Sequence, residues 1–284
     1  MSMDTAMREK LVGLTQLLFN QEGARIIVPA EQNAPGFWFG GGKMVESPAG
    51  ELVVTGRFRN AGDSRQGLRA GVRGKELAVY RSADGGRSFE KVAGWSKSDL
   101  NVGDREVLSI EGSSLGFDAE GVHLYVSTEK DSIGYPEGLE EYHKPGTGVW
   151  TIDVLRAASL EELPTARPAV AVSSQRPEYL HIKDPFLFTM RGEEYLGFCF
   201  HPYTWASAGT GIALRHDNGS WRAEHDVFPR GPAWDVAIAR GTAVMPVPRV
   251  GAFASSELYL MFYDGGECMR SHEEHDKARR RPRG

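Results

Sequence analysis

Three acidic residues recur in similar surroundings: Glu111 in Ser-Ile-Glu-Gly-Ser, Asp184 in His-Ile-Lys-Asp-Pro-Phe and Asp235 in Ala-Trp-Asp-Val-Ala. Each lies at or near an apolar, strand-like run. A carboxylate there is costly unless it is paired or solvated. Three of them aimed at one axis make a shared polar site. Such a set suits cleavage of a glycosidic bond. One carboxyl protonates the leaving oxygen, one carboxylate attacks the anomeric carbon or activates water, and a third tunes the acid by like-charge repulsion. The residue types leave the acid and base roles unassigned. Each residue also has a plainer reading: Asp184 as a turn residue before a proline, Glu111 as the ion partner of Arg105, and Asp235 as a strand end in solvent.

Substrate contacts are expected from Trp38, Arg59, Arg105, His181, Lys183, Arg240, Tyr263 and Asp264. The cations among them suit acidic or sulfated sugars. Trp38, Trp205 and Trp234 can serve as sugar platforms or as core. His143, His181 and His201 stand near Tyr142, Tyr179 and Tyr203, a setting for stacking or for plain packing. No cofactor is implied. His272-Glu-Glu-His275 has two histidines three apart but no specified third ligand, so no metal is expected.

The elements that would position these residues are short strands and turns. An amphipathic helix is expected over Ala6–Asn20. Strands are expected at Phe37–Phe39, Lys43–Glu46, Glu51–Arg57, Glu76–Arg81 and Phe89–Ala93, with a polar loop over Asn60–Lys75. The pattern restarts with Arg105–Glu111, Leu115–Phe117, Val122–Thr128 and Gly148–Val154. It restarts again with His181–Met190, Glu194–Phe200, Gly211–Arg215 and Trp221–Val227. A fourth round opens near Trp234–Val247 and ends with Glu257–Tyr263. Strand-turn-strand units recurring roughly every 50 to 70 residues point to radial repetition of small antiparallel sheets. The expected fold is therefore all-β, a β-propeller of about five blades with a short N-terminal helix. Residues 1–22 form the helix and lead-in, 23–270 the propeller, and 271–284 a polar basic tail. An irregular β-sandwich is the alternative.

Ser82-Ala-Asp-Gly-Gly-Arg-Ser-Phe89 fits Ser-x-Asp-x-Gly-x-x-aromatic and resembles the Asp-box hairpin of sialidase-type propellers. Lys183-Asp184-Pro185-Phe186 resembles the Arg-Asp-Pro motif of five-bladed glycosidases of the invertase and arabinanase type. Ser256–Gly265 is similar to a central strand of that superfamily. The resemblance implies a glycoside hydrolase in which Asp184 fixes sugar hydroxyls and helps tune the acid. It departs from the motif in having lysine for arginine, and no N-terminal catalytic aspartate is found over Gly36–Val45. A sialidase would further need three arginines, for which Arg57, Arg59, Arg105 and Arg240 are available, and a tyrosine such as Tyr263. Gly-Arg-Phe-Arg-Asn does not match its Phe-Arg-Ile-Pro motif. A non-catalytic glycan- or protein-binding propeller and a polysaccharide lyase are the other readings.

Composition narrows the classes. A net charge of −5 gives no global attraction to nucleic acid, although Lys277–Arg283 is locally basic. No apolar run approaches the ~20 residues of a membrane span. With only Cys199 and Cys268, no disulfide framework arises, and a cytoplasmic setting is expected. The Asn218-Gly-Ser sequon is expected to be idle. The expected partner is an oligosaccharide.

Overall fold

The computed structural model describes residues 3–59, 74–216 and 219–268. Most of the Asn60–Lys75 loop, Asn218, His272–His275 and the basic Lys277–Arg283 run lie outside the described residues.

The chain is an all-β propeller. The first sheet has the order β1 (Trp38–Gly40), β3 (Leu52–Arg59), β4 (Glu76–Ser82), β5 (Glu90–Ser96), with β2 (Met44–Glu46) also paired to β3. The second is β6 (Val107–Asp118), β7 (Gly121–Lys130), β8 (Val149–Ala157), β9 (Ala169–Val172). The third is β10 (His181–Met190), β11 (Glu193–His201), β12 (Gly209–Arg215), β13 (Trp221–Phe228). A two-stranded sheet of β14 (Ile238–Pro246) and β15 (Tyr259–Gly266) follows. All of these strand pairs are antiparallel, and beyond the first sheet they join consecutive strands. β6 packs on both β3 and β10, and β10 packs on β14, so first strands stand side by side around an axis.

Alternation explains the layering. In β7, buried Val122, Leu124 and Val126 join Val53, Leu77 and Val79 of the first sheet in one core. Tyr125, on the opposite face, joins Ile152, Ile182, Leu196 and Phe198 in a second core between the second and third sheets. Two strands expected over Arg105–Glu111 and Leu115–Phe117 are one strand, β6, interrupted by bulges. The Asp84 turn folds as its residues require. Asp84 accepts from the Arg87 and Ser88 amides at 2.8 and 3.0 Å, and Gly85 and Gly86 take φ of 71° and 82°. The helix α1 spans Thr5–Leu17, capped by Asp4, and has no buried residue. Just beyond it, Phe19 meets Phe262 of β15 edge-on at 6.1 Å.

Phenylalanine rings in the third sheet lie over glycines of the neighbouring strand: Phe186 opposite Gly197, Phe198 opposite Gly211 and Phe200 opposite Gly209. A Cβ at Gly197 would stand 2.1 Å from Phe186 Cζ. Gly197→Ala is expected to lower stability by about 1–3 kcal/mol through overpacking, read as a lower midpoint of urea unfolding at unchanged slope. A wild-type midpoint would show that this ring has room to move.

Candidate active site

The first strand of each sheet is interrupted at the same level. In the first sheet, β1 and β2 pair with one edge of β3 and are separated by Gly41-Gly42-Lys43. In β6 the register slips between Ile110 and Ser113, in β10 between Lys183 and Phe186, and in β14 between Gly241 and Ala243. The residues pushed out of the ladders are Glu111-Gly112, Asp184-Pro185 and Thr242. Pro185 explains one of these breaks, since a proline has no amide to give a ladder. Gly41, Gly42, Lys43, Gly112, Asp184, Pro185, Gly241 and Thr242 all line one cavity of about 280 Å³, completed by Cys199, Arg240 and Asp264.

Asp184 stands at the centre of this arrangement. Its backbone is left-handed, with φ of 53°, a conformation that costs a non-glycine residue energy and persists only where its surroundings enforce it. Here the Asp184 amide donates to Ser127 Oγ at 2.6 Å. Its carboxylate accepts from the Gly112 amide at 3.2 Å and from the Cys199 thiol at 3.2 Å. Only glycine fits at 112, because a Cβ there would come within 2.6 Å of Asp184 Oδ1.

Glu111 lies beside it and is 25% exposed. Its carboxylate receives the Lys183 ammonium at 2.7 Å and the Arg57 guanidinium at 3.7 Å. It therefore pairs with these two cations and not with Arg105, which is exposed and bridged to Val102. Burial pushes both the Glu111 and the Asp184 carboxyls up, but Lys183 and Arg57 outweigh it, and both stay below the usual carboxylate range. Both are anions at neutral pH. Burial pushes the Cys199 thiol well up, with Asp184 adding to it, so it stays protonated. Lys183 Nζ also faces the rings of Trp150 at 4.4 Å and Trp205 at 5.7 Å.

Asp235 departs from the expected convergence. It lies in the turn preceding β14, accepts from Tyr263 Oη at 3.2 Å and does not line the cavity. The second carboxylate lining the cavity, after Asp184, is Asp264, on β15, bound by Arg240 Nε at 3.0 Å and by its Nη2. The expected strand Glu257–Tyr263 runs on through Gly266, which carries Asp264 into the wall. Burial and Asp235 push the Tyr263 phenol up, and Trp234 leans on its ring at 5.6 Å. The arginines that a sialidase reading would use already have partners: Arg57 serves Glu111 and Arg240 serves Asp264, while Arg59 and Arg57 stack on Trp38 at 5.9 and 4.7 Å.

His181 and His201 face each other across the β10–β11 pair, both under Trp205, with ring centroids at 4.2 and 4.6 Å. His181 Nε2 pairs with Tyr135 Oη at 3.1 Å, and His143 stacks on Tyr135 at 4.9 Å. Burial, with Lys183 nearby, lowers His181 to about 3 and His201 well below its usual value. Both are neutral. Among the described residues no cluster of His, Cys, Asp and Glu could hold a metal ion, and no helix is long and apolar enough to cross a membrane. Lys43 and Cys199 were not foreseen as site residues. The signal for Lys43 was its place after three glycines between two short strands.

No family model matches the chain, and no curated protein matches it. Among solved structures, it is similar to a family-43 β-xylosidase/α-arabinofuranosidase from a compost microbial metagenome, in complex with xylotriose. That match has 12% identity and a TM-score of 0.45, over 69% of this chain and 61% of that one. It is similar to an α-L-arabinanase of Penicillium chrysogenum complexed with arabinobiose, at 14% identity and a TM-score of 0.44, over 83% and 64%. It is also similar to a β-1,2-mannobiose phosphorylase of Listeria innocua in complex with β-1,2-mannobiose, at 15% identity and a TM-score of 0.49, over 83% and 71%. The chain thus spans less than two thirds of the length of the first two. These likenesses assign no residue and no activity to it.

The neutral His181 has a thermodynamic consequence. Its folded value of about 3 lies below the ordinary 6.5, so between those values the unfolded chain binds the extra proton. Stability therefore rises with pH across that window and is lost as pH falls through it. Measured by urea unfolding between pH 6.5 and 4.5, above the range where carboxylates dominate, His181→Gln is expected to flatten this slope. An unchanged slope would show that His181 titrates normally.

Proposed function

We propose that the cavity belongs to a carbohydrate-active enzyme that hydrolyses a glycosidic bond, with Asp184 as the carboxylate that activates water or attacks the anomeric carbon. The observation that carries this reading is the state of Asp184. It is an ionised carboxylate, held in a strained bulge by three hydrogen-bonding neighbours, at the wall of a concave space a few sugar atoms wide. Glu111 is the counterion that keeps Lys183 and Arg57 in place, and their charge keeps Asp184 deprotonated. Asp264 and Arg240 also line the cavity, suited to sugar hydroxyls as paired acceptor and donor. The ligand class is an oligosaccharide, the kind of molecule bound in the three structures named above.

Two other readings make different products or none. A lyase would release an unsaturated sugar that absorbs in the ultraviolet, and a binding module would release nothing. The test is a panel of aryl glycosides and oligosaccharides, followed by reducing-end release and absorbance. Hydrolysis of at least one member is expected, and Asp184→Asn, with an unchanged circular dichroism spectrum, is expected to lower kcat by about 10²–10⁴-fold. A folded Asp184→Asn enzyme with wild-type turnover would remove Asp184 from the chemistry.

A further inference from the structure

Resting on the hydrolase reading, we propose that Lys43 is the proton donor to the leaving group, in the role that a carboxylic acid fills in a two-carboxylate glycosidase. Hydrolysis needs a group that holds a proton in the resting site and can give it up. The carboxylates around the cavity do not fill that position. Glu111 is tied to Lys183 and Arg57, Asp264 is gripped by Arg240, and Asp184 takes hydrogen bonds from Gly112 and Cys199. Arg57 and Arg240 are guanidinium groups that keep their protons. The Cys199 thiol is buried against Asp184 and is pushed the wrong way for an acid.

Lys43 differs from all of these. It lines the same cavity as Asp184 and feels its charge and, unlike Lys183 and Arg240, has no carboxylate among the described residues within the 4.0 Å of an ion pair. Its ammonium donates to the Thr242 carbonyl, which fixes its direction, and lies 6.0 Å from the centre of the Phe186 ring. The break between β1 and β2 puts it there. Burial in this wall pushes the ammonium down from its ordinary value, with Asp184 opposing part of the effect, so Lys43 is a stronger acid than a lysine in water.

The step balances without a co-reactant other than water. As a Lys43 Nζ–H bond breaks, the proton passes to the glycosidic oxygen, and the anomeric C–O bond breaks with its electron pair going to that oxygen. Water adds to the anomeric carbon and loses a proton to the Asp184 carboxylate. Exchange with solvent then returns Asp184 to carboxylate and Lys43 to ammonium.

The experiment compares Lys43→Met and Lys43→Arg with wild type on two glycosides of one sugar, differing only in leaving group. A poor leaving group, such as an alkyl alcohol, needs the proton. Both variants are expected to lose about 10²–10⁴-fold in kcat/KM on it, the arginine variant included, because it keeps the charge and cannot release the proton. A 2,4-dinitrophenyl glycoside departs without a proton, so both variants are expected to stay within about tenfold of wild type on it. That activity also reports correct folding. The alkaline limb of the wild-type kcat/KM profile on the poor substrate is expected to vanish in Lys43→Met. The other titratable or charged groups around the cavity, Arg57, Glu111, Lys183, Asp184, Cys199, Arg240 and Asp264, are unchanged in both variants.

Equal losses on both substrates would overturn the proposal, as would recovery of the poor substrate by Lys43→Arg. A wild-type enzyme that cleaves neither glycoside, nor any member of the wider panel, would overturn the hydrolase reading and this proposal with it. An Asp184-dependent enzyme indifferent to Lys43 would overturn this proposal alone.

Discussion

The first strand of a propeller blade has a free edge toward the axis, and its amides and carbonyls there have no ladder partner. Buried backbone groups left in that state are costly, so something from outside the sheet must meet them. In this chain the partners are short hydroxyl side chains from adjoining sheets. Ser127 takes the Asp184 amide and Ser114 the Leu187 amide. Thr210 takes the Gly241 amide while donating to the Ala239 carbonyl. Ser113 and Thr55 join hydroxyl to hydroxyl at 2.9 Å between the first two sheets. These links fix the height of each sheet relative to the next. They are why four interruptions in strands far apart in sequence fall at one level and open onto one cavity.

Charge around that cavity is arranged in pairs that leave two groups over. Glu111 is shared by Lys183 and Arg57, and Arg240 is closed against Asp264. The pairs lie mostly behind or along the walls, where they set the field that keeps Asp184 ionised. Asp184 and Lys43 are left on the wall of one cavity, neither with a direct ion partner among the described residues. The neutral histidines and Trp205 close the side of the site around Lys183, so its positive charge is felt in a partly apolar setting where it has more effect than in water.

Much of this was legible in the residues and some was not. β7 and β10 were legible nearly to the residue, because each is a largely buried run rich in apolar residues that ends at a clear turn. The Asp84 turn was readable because glycine and aspartate at those positions have few other uses. Glu111 and Asp184 stood out as charges in apolar runs, and the structure does put them side by side. Asp235 stood out for the same reason and was misplaced: Trp-Asp-Val reads as strand, but Trp234 is 58% exposed and the segment is a turn held through Tyr263. Lys43 was missed because its one local signal, a place after three glycines, says nothing about which groups it would meet. Its role depends on Thr242 and Asp184, roughly 200 and 140 positions away, and such distant contacts leave no local pattern.

Arg240 and Asp264 sit on a sheet that has two strands among the described residues, and its side chains are mostly half exposed where those of β7 are almost all buried. Such a sheet opens at lower cost than its neighbours. It is tied to the rest through Thr210, a parallel bridge from Ala208 to Ile238, the Lys43–Thr242 hydrogen bond and the packing of β14 on β10 and β11. A ligand that touches both this wall and Asp184 joins a soft element to a hard one. Part of its binding free energy then goes into holding the soft wall closed, so occupancy and the order of that sheet rise and fall together.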